Sequence, residues 1–132
     1  MELYIVTENY IKYLRNIDDK VLTNHFSTHN RKYLGVGIKL NGYDYFIPLS
    51  SPDKSDYLPN GDIRKSIVPI IRLVRKDGVF YGKLLFNNMI PVPSSELSYY
   101  DVGKESDEKY RNIVLNQLRL LKKIEKKIVK MH

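Results

Sequence analysis

The 132-residue chain contains no cysteine. That excludes disulfides, thiolate zinc sites, iron–sulfur clusters and cysteine nucleophiles. Tryptophan is absent as well. No apolar run approaches the roughly 20 residues that a membrane span requires. Met1-Glu2-Leu3-Tyr4 lacks the basic start and long apolar stretch of a signal peptide. A soluble, cytoplasmic protein is expected. There is no glycine-rich phosphate loop, because Gly35 and Gly37 fall inside a strand-like run without the spacing such loops need. No pair of histidines has helical metal-ligand spacing and no carboxylates cluster, so neither a metal nor another cofactor is expected. Acids are also scarce: 15 Asp and Glu face 22 Lys and Arg, a net charge of +7.

What remains is a globular composition, 42% apolar and 28% charged, long enough for one domain over residues 1–132. The aromatic set is 11 Tyr and 4 Phe. Tyrosine stacks on bases, and Lys and Arg neutralise phosphates, so the balance suits a nucleic-acid partner. The same tyrosines also suit plain β-sheet packing.

Local patterns give the order β-α-loop-β-β-loop-β-β-β-α. Thr7 is placed to cap an amphipathic helix over 8–17, with Tyr10, Ile11, Tyr13, Leu14 and Ile17 at helical spacing. Residues 22–32 read as a loop holding His25, His29, Arg31 and Lys32. Residues 33–40 alternate, Asn41-Gly42 is a preferred hairpin turn, and 43–49 returns as the second strand. Pro48 implies an edge or a strand ending. After a loop over 50–64, Lys76-Asp77-Gly78 joins a second hairpin, and Met89-Ile90-Pro91-Val92 reads as a short edge strand. Residues 93–106 are turn-rich, and a long helix runs from about Ser106, read as its cap, to the end. Arg119, Lys122, Lys123, Lys126, Lys127 and Lys130 crowd its C-terminal half. They make either a solvated face suited to the helix dipole or a nucleic-acid surface. The fold class expected is α+β: a curved antiparallel sheet or small barrel with packed helices.

One segment offers chemistry. Ser50-Ser51-Pro52-Asp53-Lys54 follows the end of a hairpin strand and places two hydroxyls and a cation close together. Hydroxyls can hydrogen-bond phosphate oxygens, and a lysine can neutralise the charge that builds at phosphorus. RNA carries its own nucleophile, the 2′-hydroxyl, so cleavage at such a spot needs neither metal nor protein nucleophile. The plain alternative is a turn ending a strand beside a surface lysine.

Several ordered blocks resemble the ToxN/AbiQ group, the endoribonuclease toxins of type III toxin–antitoxin systems. They are Lys32-Tyr33-Leu34-Gly35-Val36, Asn41-Gly42-Tyr43 running through Tyr45-Phe46-Ile47-Pro48-Leu49-Ser50-Ser51-Pro52, and Asn87-Asn88-Met89-Ile90-Pro91-Val92. The N-terminal Tyr10-Ile11-x-Tyr13-Leu14 pattern and a long terminal helix with Tyr110 and Gln117 accompany them. The resemblance implies an SH3-like, strongly bent antiparallel sheet similar to the MazF/Kid toxins. It also implies metal-independent cleavage of RNA to a 2′,3′-cyclic phosphate, inhibition by a small repeat pseudoknot RNA that the toxin processes, closed toxin–RNA assemblies, and defence against phage in some systems.

The site residues the resemblance implies are Ser51, Ser50, Lys54 and Arg31, with His29 in place of a family aromatic. Ser51 would orient the scissile phosphate, Ser50 would support it, and Lys54 and Arg31 would stabilise the phosphorane. Lys32, Tyr33, Lys83, Arg119, Lys122 and Lys126 form the expected RNA-binding set. Which of Arg31 and Lys32 matches the family's basic residue stays open. Asp53 stands where many relatives carry lysine, one position before Lys54. Two other functions fit the residues: a non-catalytic RNA- or DNA-binding domain, and an SH3-like module for extended peptides.

Overall fold

Asn41 and Gly42 adopt φ of 53° and 82°, the left-handed pair that a two-residue hairpin turn demands. They join β4 (Lys32–Leu40) to β5 (Tyr43–Ser50), with Leu40 opposite Tyr43. The computed structural model describes residues 1–26 and 29–130, the side chains at 25–26 and 126–130 excepted. The hairpin lies at the centre of a seven-stranded antiparallel sheet. Its other strands are β1 (Glu2–Val6), β6 (Ile70–Val74), β7 (Phe80–Leu85), β8 (Ile90–Pro91) and β9 (Leu97–Tyr99). The order is β6-β7-β5-β4-β1-β9, and β8 pairs with β5. The α+β class is as expected. No helix among the described residues is long and apolar enough to cross a membrane.

Pro48 is not at an edge. It sits opposite Tyr33 of β4 in mid-sheet, because β5 changes partner on its other side at this point. Tyr45 and Phe46 pair with β8, whereas Leu49 and Ser50 pair with β7. Pro48 falls in the gap between those partners, where a missing N–H is tolerated.

Successive residues of a strand face opposite ways, and here both faces are covered. Leu34, Ile47, Leu49 and Leu84 pack in one core with Val114 and Leu121 of α2 (Glu108–Lys130). Tyr33 and Phe46 pack in a second core with Ile11 of α1 (Glu8–Ile17) and with Val6, Ile90 and Val92. Fully burying a side chain such as Leu121 is worth about 1.5–3 kcal/mol, so each helix is held mainly by these contacts.

The Thr7 cap forms as expected, its hydroxyl accepting the Tyr10 N–H. At α2 the cap is Asp107 and not Ser106: Asp107 Oδ1 accepts the Tyr110 N–H at 3.1 Å. Two segments read as irregular contain strands. Within 22–32 lie β2 (His25–Phe26), β3 (His29–Asn30) and the start of β4, and within 93–106 β9 pairs with β1. Short pairings held by tertiary context leave no periodicity to read.

Candidate active site

β5 leaves the sheet at Ser50, and β4 enters it at Lys32 on the neighbouring antiparallel strand. The hydroxyl pair Ser50-Ser51 and the cation pair Arg31-Lys32 are therefore brought side by side. Arg31 Nη1 donates to the Leu49 carbonyl at 2.8 Å and Nε to the Thr23 carbonyl at 2.9 Å. These four residues share a pocket of about 530 Å³ with His29 and Asn30, closed by β7 on one side and α2 on the other. The β7 side is Phe80 and Tyr81 with Val79 just before the strand, and the α2 wall is Tyr110, Ile113 and Gln117.

Both cations are buried, at 7% exposure for Arg31 and 5% for Lys32. Burial lowers the pKa of each. Lys32 Nζ donates to the Asn30 carbonyl at 2.6 Å and lies 4.5 and 5.1 Å from the ring centres of Tyr100 and Tyr110. Two ring faces thus hold the ammonium where water is scarce. Burial pushes the Tyr110 phenol up to about 12, helped by Glu105 and Asp107. His29 stacks flat on Tyr110, with ring centres 3.7 Å apart and planes 5° from parallel. Its Nε2 lies 3.0 Å from Asp107 Oδ2. The carboxylate that caps α2 also orients the imidazole at the pocket.

The other expected site residues are dispersed. Lys54 is exposed on the 3-10 turn Lys54–Asp56 and does not line the pocket with Ser51. The residue before it, Asp53, turns back to cap that turn and bonds Lys83 at 3.1 Å, which carries Lys54 outward. Lys83 is 4% exposed and also bonds Asp56 at 2.7 Å. Its ammonium holds the loop from beneath and offers nothing to a phosphate at the surface. Tyr33 is 1% exposed, packed in the α1 core, so its ring has no face free for a base. Burial pushes its phenol up to about 12. Arg119 and Lys122 are exposed on α2, and the Lys126 side chain lies outside the described residues.

Tyr81 and Gln117 were not singled out from the sequence as site residues, though each left a trace. Gln117 is an amide within the apolar stripe of α2, and Gly82 interrupts a strand. The two traces are one feature. Gln117 Nε2 donates to the Tyr81 carbonyl at 2.7 Å, passing over Gly82. A Cβ at Gly82 would lie 3.1 Å from that nitrogen and 2.7 Å from the Ser50 carbonyl oxygen. Among the described residues, no three His, Asp or Glu side chains gather as a metal ion would require.

Hydroxyls and buried cations in one cleft, at the end of a central strand, are the chemistry of a phosphate site on an α+β scaffold. The family model of toxin ToxN, type III toxin–antitoxin system, matches residues 2–132, and the chain belongs to that family. It is 37% identical over 123 residues to the endoribonuclease ToxN of Bacillus thuringiensis subsp. kurstaki. That match covers 92% of this chain but 59% of the relative's length. It is 34% identical over 132 residues to the endoribonuclease AbiQ of Lactococcus lactis subsp. lactis, covering 97% of this chain and 69% of that relative. A solved toxin structure, described as concerning selective toxin inhibition by a non-coding RNA pseudoknot, superposes with a TM-score of 0.82 at 34% identity. The match covers 98% of this chain and 73% of that one.

Proposed function

We propose that the protein is an endoribonuclease toxin of a type III toxin–antitoxin system, acting in the cytoplasm without a metal ion. The observation that carries this reading is the shared pocket of Ser50, Ser51, Arg31, Lys32 and His29. The serine hydroxyls hydrogen-bond the scissile phosphate and hold it in line with the adjacent 2′-hydroxyl. The 2′-oxygen attacks phosphorus, the P–O5′ bond breaks, and the products are a 2′,3′-cyclic phosphate and a 5′-hydroxyl. Arg31 and Lys32 stabilise the added charge on the phosphorane oxygens. His29, oriented by Asp107, takes the 2′-hydroxyl proton as that oxygen attacks and gives it to the departing 5′-oxygen. Lys54, Arg119 and Lys122 hold phosphates outside the pocket. We take the bent sheet as an SH3-like barrel of the MazF/Kid kind. The inhibitor is a small repeat pseudoknot RNA that the toxin processes, in keeping with the family's pseudoknot-inhibited member, and the substrates are cellular or phage RNA.

The test is incubation of the purified protein with single-stranded RNA in EDTA, with end-group analysis of the fragments. Cleavage leaving 2′,3′-cyclic phosphates is expected. Salt-dependent binding without cleavage would instead identify a non-catalytic RNA-binding domain.

A further inference from the structure

The pocket is divided by polarity. Its phosphate-binding groups lie on the β4 and β5 side, whereas Val79, Phe80, Tyr81 and Ile113 make the opposite side aromatic and aliphatic. Phosphates gain nothing from such a wall, but an unstacked base does. The volume of about 530 Å³ falls within the range of sites that enclose a small organic group. Arg75 Cζ lies 5.4 Å from the centre of the Tyr81 ring and steadies it.

Gln117 supplies a polar group on this side whose orientation is fixed. The Tyr81 carbonyl is an acceptor, so the amide must present an N–H to it. Gln117 Oε1 then remains as an acceptor with no partner among the described residues. The Gly82 notch that admits the side chain also lies against the Ser50 carbonyl, beside the phosphate-binding hydroxyls.

We propose that Gln117 and Tyr81 form a base-recognition subsite. One nucleobase next to the scissile phosphate stacks on Tyr81 and gives an edge N–H to Gln117 Oε1, so that Gln117 sets base preference at that position. This rests on the endoribonuclease reading for the word "scissile", but base binding can be measured without cleavage.

The experiment uses single-stranded hexanucleotides with 2′-O-methyl sugars, which cannot attack phosphorus, varied through the four bases at each position. Binding is measured by fluorescence anisotropy, and unmodified RNA of the same sequences is assayed for cleavage in parallel. The wild-type protein should discriminate among bases at one position by about tenfold or more, the scale of a well-placed edge contact. Gln117→Met, which keeps the side-chain length, should reduce that ratio to about twofold or less, with preferences elsewhere unchanged. Tyr81→Leu should weaken all four bases at that position and keep their order, so the subsite is probed even if one variant does not fold. Equal binding of all bases by the wild type, or a preference intact in a folded Gln117→Met, overturns the proposal. Discrimination without cleavage of the unmodified RNA removes the catalytic reading and leaves the subsite standing. Cleavage without discrimination does the reverse.

Discussion

Lys83 Nζ lies 2.7 Å from Asp56 Oδ2, with side-chain exposures of only 6% and 0%. Arg72 Nε meets the other carboxylate oxygen at 2.9 Å, and the Asp53 N–H donates to Oδ2 at 2.8 Å. Lys83 is paired with Ser50 across the β5–β7 ladder. The cluster therefore ties the turn that follows Ser51 to the strand beside Ser50.

Removing one partner leaves a buried charge short of its counter-charge. Lys83→Met should lower the unfolding free energy by about 3 kcal/mol, the lower part of the range for broken buried pairs because Arg72 still faces Asp56. Denaturant unfolding of variant and wild type measures the difference.

The same cluster makes stability depend on acid. Burial acts to raise the Asp56 carboxyl, but the bonds from Lys83, Asp53 and Arg72 outweigh it and hold it below its ordinary 3.8. Bonds from Ser55 and Lys83 lower Asp53 too. The folded state thus binds these protons less readily than the unfolded chain. Their contribution is complete above about pH 4 and is lost as the pH falls through the lowered values. Denaturant midpoints between about pH 5 and 2 should drop steeply in the wild type and less steeply in Asp56→Asn.

Gly82 has φ of 122°, and an added Cβ would stand 2.7 Å from the Ser50 carbonyl oxygen. Gly82→Ala should cost about 1–3 kcal/mol from backbone strain alone and displace both Ser50 and Gln117. A melting curve and an RNA-cleavage assay should fall together. A fully active, equally stable variant would show that the notch is dispensable.

Local signals accounted for much of the fold. The 8–17 helix, its Thr7 cap and the Asn41-Gly42 hairpin are each set by residues near in sequence. Tyr33 and Lys83, both in the expected RNA-binding set, are buried for a shared reason. Alternation shows which residues share a face but not whether the opposite face is covered, and α1 covers Tyr33. A lysine in a strand gives no sign that Asp53 and Asp56, some 30 residues away, will enclose it. Ser50, Ser51 and the Arg31-Lys32 pair were readable as motifs. The α2 wall was not, because a helix about 60 residues further on supplies it.

The placement of the cations separates two of the residues first grouped by sequence. Arg31 lines the pocket, whereas Lys54 is exposed beyond it. Arg31→Gln should reduce single-turnover cleavage by about a hundredfold or more, the scale of losing a transition-state donor. Lys54→Gln should reduce it by less than about tenfold, with a shallower salt dependence of RNA binding.

The most direct measurement is the single-turnover rate of RNA cleavage in EDTA by wild type and by Ser51→Ala, with RNA affinity measured alongside. A loss of about a hundredfold or more in rate, with affinity changed by less than about threefold, is the predicted result. An undiminished rate in Ser51→Ala would contradict the assignment of this pocket as the place where RNA is cut.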